Sequence, residues 1–245
     1  MNASRSLRFG ACLFLGLAGC LADDGAPENE SAEADGELGT ASSAVTTTVM
    51  VPGTVPHFYE FDAAALENPA HSYWCAHAAL KTVYKYKKNT TLTLSGIHQL
   101  LVNKYGTNYS TCGTQALNGR CASEDQLLGV TLQYLSAPNS VMRYPTSVDD
   151  FFAKVKGGIS SGFPAIVGSY VDYSTAGHYY TIVGYTDTGS TSTSTLYVRN
   201  TANVSGGQQY DETKNVQSFY KSWRTYSNGT PSNWYTVDKI LFITP

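Results

Sequence analysis

The sequence predicts an α+β domain, an N-terminal helical layer packed on a C-terminal antiparallel β-sheet. Two observations predict it. Between Cys75 and Ser161, apolar residues recur at helical spacing, broken by caps and stops. From Pro164 onward, short Val-, Ile- and Tyr-rich runs alternate with Ser-, Thr- and Gly-rich turns. About 200 residues are enough for one domain with a substantial core.

The elements follow in order. Val45–Phe61 opens with Val-Thr-Thr-Thr-Val-Met-Val and reads as an extended lead-in. Cys75 to about Lys87 is the first helix. Cys75, Ala78, Ala79, Thr82, Val83 and Tyr86 share one face, and Lys81, Lys85, Lys87 and Lys88 form the solvated one. Ser95 caps a second helix, Gly96–Tyr105, which Gly106 stops. Ser123, followed by Glu124 and Asp125, caps a third that runs to Leu135. Ser147 caps a fourth, Val148–Ser161, ended by Gly162. Strands follow at Pro164–Val171, His178–Tyr185, Thr195–Asn200 and within Trp234–Ile243. No internal repeat is present.

The first residues read as a targeting segment. Arg5 and Arg8 precede an apolar run from Phe9 to Gly19, too short to span a bilayer and suited to a signal sequence. It ends in Leu17-Ala18-Gly19-Cys20, which resembles the bacterial lipobox. That resemblance implies a signal peptide over residues 1–19, cleavage before Cys20, and lipidation of Cys20. Several acyl chains, at ~0.8 kcal/mol per buried CH₂, make a stable anchor. Leu21 rather than Asp after the cysteine implies sorting to the outer membrane of a Gram-negative bacterium. An ordinary cut nearby, with Cys20 incidental, is the alternative.

Residues 20–45 read as a disordered acidic tether, and residues 46–245 as the folded domain. The tether has no aromatic residue and too little apolar surface to offset its chain entropy. Of the 19 Asp and Glu, seven precede residue 45, as do two of the 16 Lys and Arg. The folded part is therefore close to neutral. It carries no basic patch of the kind nucleic acid requires.

Five cysteines remain to be sorted. Cys12 leaves with the signal and Cys20 is the lipid site. Cys112 and Cys121 flank a short polar loop, Gly113–Arg120, and after export a disulfide between them is expected. It would contribute on the order of 2–3 kcal/mol. A metal pair is the alternative, without a second Cys/His pair nearby to support it. Cys75 is left over, either an inert buried residue or a reactive thiol.

Its context favours reactivity. Cys75 opens a helix in Ser72-Tyr-Trp-Cys-Ala-His-Ala-Ala79, and His178 opens a strand in Gly177-His-Tyr-Tyr-Thr-Ile-Val-Gly-Tyr185. A thiol at a helix N-terminus and an imidazole across a cleft suit nucleophilic catalysis. The helix end favours the thiolate, and the imidazole can hold it as an ion pair.

These motifs resemble those of the papain-like cysteine peptidases, within them the bacterial peptidase C39-like group. Trp74-Cys75-Ala76-His77-Ala78-Ala79 matches in part the element that opens the family's first helix. Gly162-Phe-Pro-Ala-Ile-Val167 matches a family strand, and Gly177–Tyr185 matches the histidine motif. The resemblance spans about residues 50–245. It implies a papain-like fold, with Cys75 as nucleophile and His178 as general acid and base. Asn200, at the end of the next strand, would orient the imidazole. The substrate implied is a peptide or protein.

One departure bears on rate. The family places a Gln six residues before the cysteine as an oxyanion donor, and here that position is Pro69. Asn68 and His71 are the polar substitutes nearby. A lost oxyanion donor costs roughly 10²–10³ in rate. Two other readings follow: a papain-fold binding protein without turnover, and an acyl transferase of transglutaminase type on the same Cys-His pair. His77 points away from Cys75 and reads as structural. A zinc site from His57, His71, His77 and His98 lacks paired spacing, and no metal or cofactor is expected.

Overall fold

A computed structural model of the chain describes residues 45–60, 74–107, 109, 121–172, 177–202, 210–224 and 233–244. The signal, Cys20, the tether, Asn68, His71 and Cys112 lie outside the described residues.

The elements in chain order are β1 (Thr47–Met50), α1 (Cys75–Lys88), α2 (Leu94–Tyr105), α3 (Glu124–Tyr134), β2 (Val141–Arg143) and α4 (Val148–Ser160). Then come β3 (Ala165–Ser169), β4 (His178–Asp187), β5 (Thr195–Asn200), β6 (Glu212–Asn215) and α5 (Val216–Tyr220). The chain closes with β7 (Lys221–Arg224), β8 (Asn233–Thr236) and β9 (Ile240–Phe242). The fold class is α+β. One antiparallel sheet runs β2-β9-β3-β4-β5-β6, with β1 also on β4, and β7 and β8 form a separate ribbon.

β4 is the spine of the sheet. Its first half pairs with β3, its second half with β1, and β5 runs along its other edge. The register slips between Ile182 and Gly184. A Cβ at Gly184 would lie 2.8 Å from the Val49 carbonyl oxygen, so only glycine lets β1 approach there.

Alternation along the strands splits the core in two. Ala165, Val167, Ile182, Ile240 and Phe242 pack with Phe151, Phe152, Val155 and Ile159 of α4. Ile166 and Leu241 point the other way, into Leu80, Val83, Ile97, Leu101, Leu127 and Val130 of α1 to α3. Helices therefore cover both faces. The helices precede the main strands as expected; α1 to α3 lie on one face and α4 on the other, a division the sequence did not specify. β3 is buried on both sides and reads as a continuous apolar run, which carries no facing information.

Local chemistry sets the helix starts. Ser123 and Gln126 form a reciprocal capping box on α3, and the Ser147 hydroxyl accepts from the Asp150 N–H on α4. α2 begins two residues earlier than expected, because Thr93 rather than Ser95 accepts from the Gly96 N–H, at 2.9 Å. The last strand region is divided, β8 joining β7 and β9 entering the main sheet between β2 and β3.

α1 is the most enclosed helix, buried continuously from Ala76 to Val83. Lys81, expected on a solvated face, is itself buried, with its ammonium 4.5 Å from the centre of the Phe58 ring. The lead-in segment covers the side of α1 that the sequence pattern leaves polar. Lys87 is half-buried and donates to the Gly162 carbonyl at 3.1 Å. Among the described residues no helix is long and apolar enough to cross a membrane.

Candidate active site

Cys75 is the first residue of α1. Its preceding residue, Trp74, supplies no side-chain cap, so the first N–H groups of the helix are open to other acceptors. The Glu60 carboxylate accepts the Cys75 N–H. The backbone N–H groups of Ala76 and Tyr179 approach the sulfur.

His178 opens β4, where Gly177 holds a backbone φ of +67°. A Cβ at Gly177 would come within 2.9 Å of the Tyr170 ring, so glycine is needed for the turn into His178. Because β4 and β5 pair with Tyr180 opposite Asn200, the end of β5 falls beside the imidazole. His178 Nε2 lies 2.9 Å from Asn200 Oδ1. The Asn200 amide nitrogen donates to Glu212 Oε1 at 2.7 Å, and Oδ1 also accepts from the Ala202 N–H at 3.0 Å. With the nitrogen so engaged, the oxygen must face the ring. His178 Nε2 therefore carries the proton and donates, which places the lone pair on Nδ1. The Thr201 hydroxyl lies 3.1 Å from the same Nε2.

The lead-in segment is tied to the end of β5. The Glu60 N–H donates to the Thr201 carbonyl at 3.0 Å, and Arg199 Nη2 donates to the Val55 carbonyl at 2.8 Å. His57 Nε2 lies 2.9 Å from the Asn200 carbonyl and 3.1 Å from Asp211 Oδ2. Asp211 pairs with Arg199 at 2.8 Å and accepts the Asn200 N–H at 2.8 Å. These bonds bring Glu60 to the head of α1. One ligand-type atom from each of Glu60, Cys75 and His178 lies within 4.8 Å of the others.

The structure thus brings Cys75, His178 and Asn200 together and adds Glu60, which the sequence did not single out. Glu60 stands fifteen positions before Cys75 in Phe58-Tyr59-Glu60-Phe61, with no spacing signal. Glu212 and Asp211, which fix Asn200, were also missed, because they lie at the start of a weak edge strand. Cys75 is the free cysteine among the described residues. Cys121 is buried, and Cys112 lies outside the described residues.

The remaining histidines are held elsewhere. His77 Nε2 and His98 Nδ1 both reach the Tyr109 hydroxyl, at 3.0 and 2.7 Å, and both rings stack on Trp74. They form a structural knot beneath the start of α1.

The pocket favours neutral groups. Burial pushes the Cys75 thiol up to about 12, and the Glu60 charge adds to the shift. Burial holds His178 down to about 4, against the Asn200 bond and the charges of Asp172 and Glu212. Glu60 is raised to about 7 by burial, partly offset by the Cys75 N–H. At neutral pH the resting pair is a thiol beside a neutral imidazole. The ion pair suggested by the helix end is opposed by desolvation.

The model of the Peptidase C39 like family matches residues 54–231. No curated protein matches the chain. The crystal structure of UfSP from C. elegans aligns at 14% identity and a TM-score of 0.46, over 84% of this chain and 36% of that one. The chain thus spans about a third of that protein. The family match covers most of the folded residues, from the lead-in through β7: the chain belongs to the peptidase C39-like family, whose fold is of the cysteine-peptidase type.

Proposed function

We propose that the protein is an exported cysteine peptidase, held to a membrane through a lipid on Cys20, that hydrolyses peptide bonds with Cys75, His178 and Asn200. The observation that carries this reading is the oriented pair: Asn200 oxygen on His178 Nε2, with Cys75 within 4.8 Å of the ring.

The chemistry follows from the protonation states. His178 Nδ1 takes the thiol proton as sulfur bonds to the substrate carbonyl carbon. The imidazolium so formed is stabilised by the Asn200 oxygen and by Asp172 and Glu212, whose charges favour its protonated form. The tetrahedral intermediate collapses, the amine leaves with the proton from Nδ1, and a thioester remains. Water then attacks the thioester with Nδ1 as base, and the thiol is regenerated. A neutral starting pair requires proton transfer during attack, which makes His178 a general base.

The experiment is turnover of a peptide library by purified residues 20–245, with Cys75→Ala as control. Cleavage by the wild type and none by the variant supports the reading. A second reading is a papain-fold binding protein without turnover. The raised thiol and lowered imidazole favour it, since neither group is charged at rest. Under that reading the wild type cleaves nothing, and a peptidyl electrophile does not label Cys75. The bridge between Cys112 and Cys121, the acidic tether and the outer-membrane address belong to the same proposal.

A further inference from the structure

Glu60 places a carboxyl beside the Cys75 thiol and the His178 imidazole. Its carboxylate rests on the Cys75 N–H, the donor that an oxyanion formed on attack by Cys75 would need. An ionised carboxylate there repels both the thiolate and the developing oxyanion. A neutral carboxylic acid does the reverse, because its O–H is a donor aimed at that same position.

We infer that Glu60, acting as a neutral carboxylic acid, donates the second hydrogen bond to the oxyanion formed when Cys75 attacks the substrate. The inference rests on the peptidase reading above. Three observations carry it. Glu60, Cys75 and His178 form one cluster with reacting atoms within 4.8 Å. Glu60 is nearly buried, and its own N–H is fixed on the Thr201 carbonyl, which holds its backbone beside the head of α1. The acidity of the group is weakened by that burial, to about 7.

The elements that meet near the cluster carry titratable groups of their own, most of them held by other partners. α1 contributes the Cys75 thiol and the buried Lys81, whose ammonium lies over the Phe58 ring. β4 contributes the His178 imidazole. The end of β5 contributes Arg199, already paired with Asp211. The lead-in itself contributes His57, which sits on Asp211 and the Asn200 carbonyl. The Asn200 side places Glu212, which accepts from the Asn200 amide.

In the step itself, the S–H proton moves to His178 Nδ1 as the S–C bond forms. The carbonyl π pair moves onto oxygen. That oxygen takes the Cys75 N–H, and the Glu60 O–H turns onto it without giving up its proton. On collapse the pair returns, the C–N bond breaks, and His178 protonates the amine. Glu60 ends as it began.

The test is kcat/KM from pH 4 to 9 for wild type, Glu60→Gln and Glu60→Ala on a peptide the wild type cleaves. Wild-type kcat/KM should fall above about pH 7, towards tenfold per pH unit, as Glu60 loses its proton. Glu60→Gln keeps a donor that does not titrate, so this decline should vanish and the variant should exceed wild type at pH 9. Glu60→Ala should lose roughly 10²–10³-fold at pH 5–6 and also lack the decline. A wild-type decline that persists in Glu60→Gln overturns the inference, as does Glu60→Ala at the wild-type rate. A wild type inactive at every pH sinks the peptidase reading and this inference with it. If Glu60→Ala fails to fold, Glu60→Gln alone decides.

Discussion

Asn200 turns its amide oxygen, not its nitrogen, to His178 at 2.9 Å, because Glu212 accepts from the nitrogen at 2.7 Å. Asn200 therefore sets which ring nitrogen of His178 carries the proton and which the lone pair. Asn200→Ala is expected to lower kcat/KM by roughly 10–100-fold, as loss of an orienting partner does. Under the proposed mechanism His178→Ala removes the base and should cost roughly 10²–10⁴-fold. Steady-state kinetics on a cleaved peptide checks the ranking, and equal losses would mean that Asn200 does more than orient.

Glu60 makes stability depend on pH. Unfolded, it ionises near 4.5; folded, near 7. Between those values the folded state holds more protons, so stability falls as pH rises and the loss is complete above 7. His178 acts oppositely: its folded value near 4 lies below the unfolded 6.5, so stability rises with pH across that interval. Glu60→Gln removes only the falling component. Its melting temperature, relative to wild type, should climb from pH 4.5 to 7 and then stay level. A difference that does not change with pH would show that Glu60 titrates at its ordinary value.

The Asp211 side chain is fully buried and holds Arg199, His57 and the Asn200 N–H. Asp211→Ala leaves the Arg199 charge buried without that partner and should destabilise by roughly 3–5 kcal/mol. Urea denaturation measures this. A loss under 1 kcal/mol would mean that water or the Val55 carbonyl takes over the guanidinium.

Thiol counting on unfolded, unreduced, lipidated protein should give one, from Cys75. Three would show that Cys112 and Cys121 do not pair. At pH 7 in the folded protein, iodoacetamide should label Cys75 slowly, because burial disfavours the thiolate. Glu60→Gln should label faster, since the neighbouring charge is gone.

Cys20→Ala should release the domain from membranes without altering its melting temperature. Fractionation in a Gram-negative host reads this out. Retention of the variant in the membrane fraction would end the lipid-anchor proposal.

Local patterns in the chain place Cys75, His178 and Asn200. Each stands at the end of an element whose period is local: α1 from Cys75, β4 from His178, β5 to Asn200. Caps at Ser123 and Ser147 were legible for the same reason, since each bonds within one turn. Tertiary structure alone decided the rest. α4 crosses to the far face because β3 is apolar on both sides and its pattern cannot choose. Lys81 is buried because residues distant in sequence close over α1. Glu60 enters the site because its backbone is pinned to Thr201, a contact across 141 positions that no local pattern encodes. That burial, and not the residue type, turns an ordinary surface acid into one poised near neutrality beside the thiol.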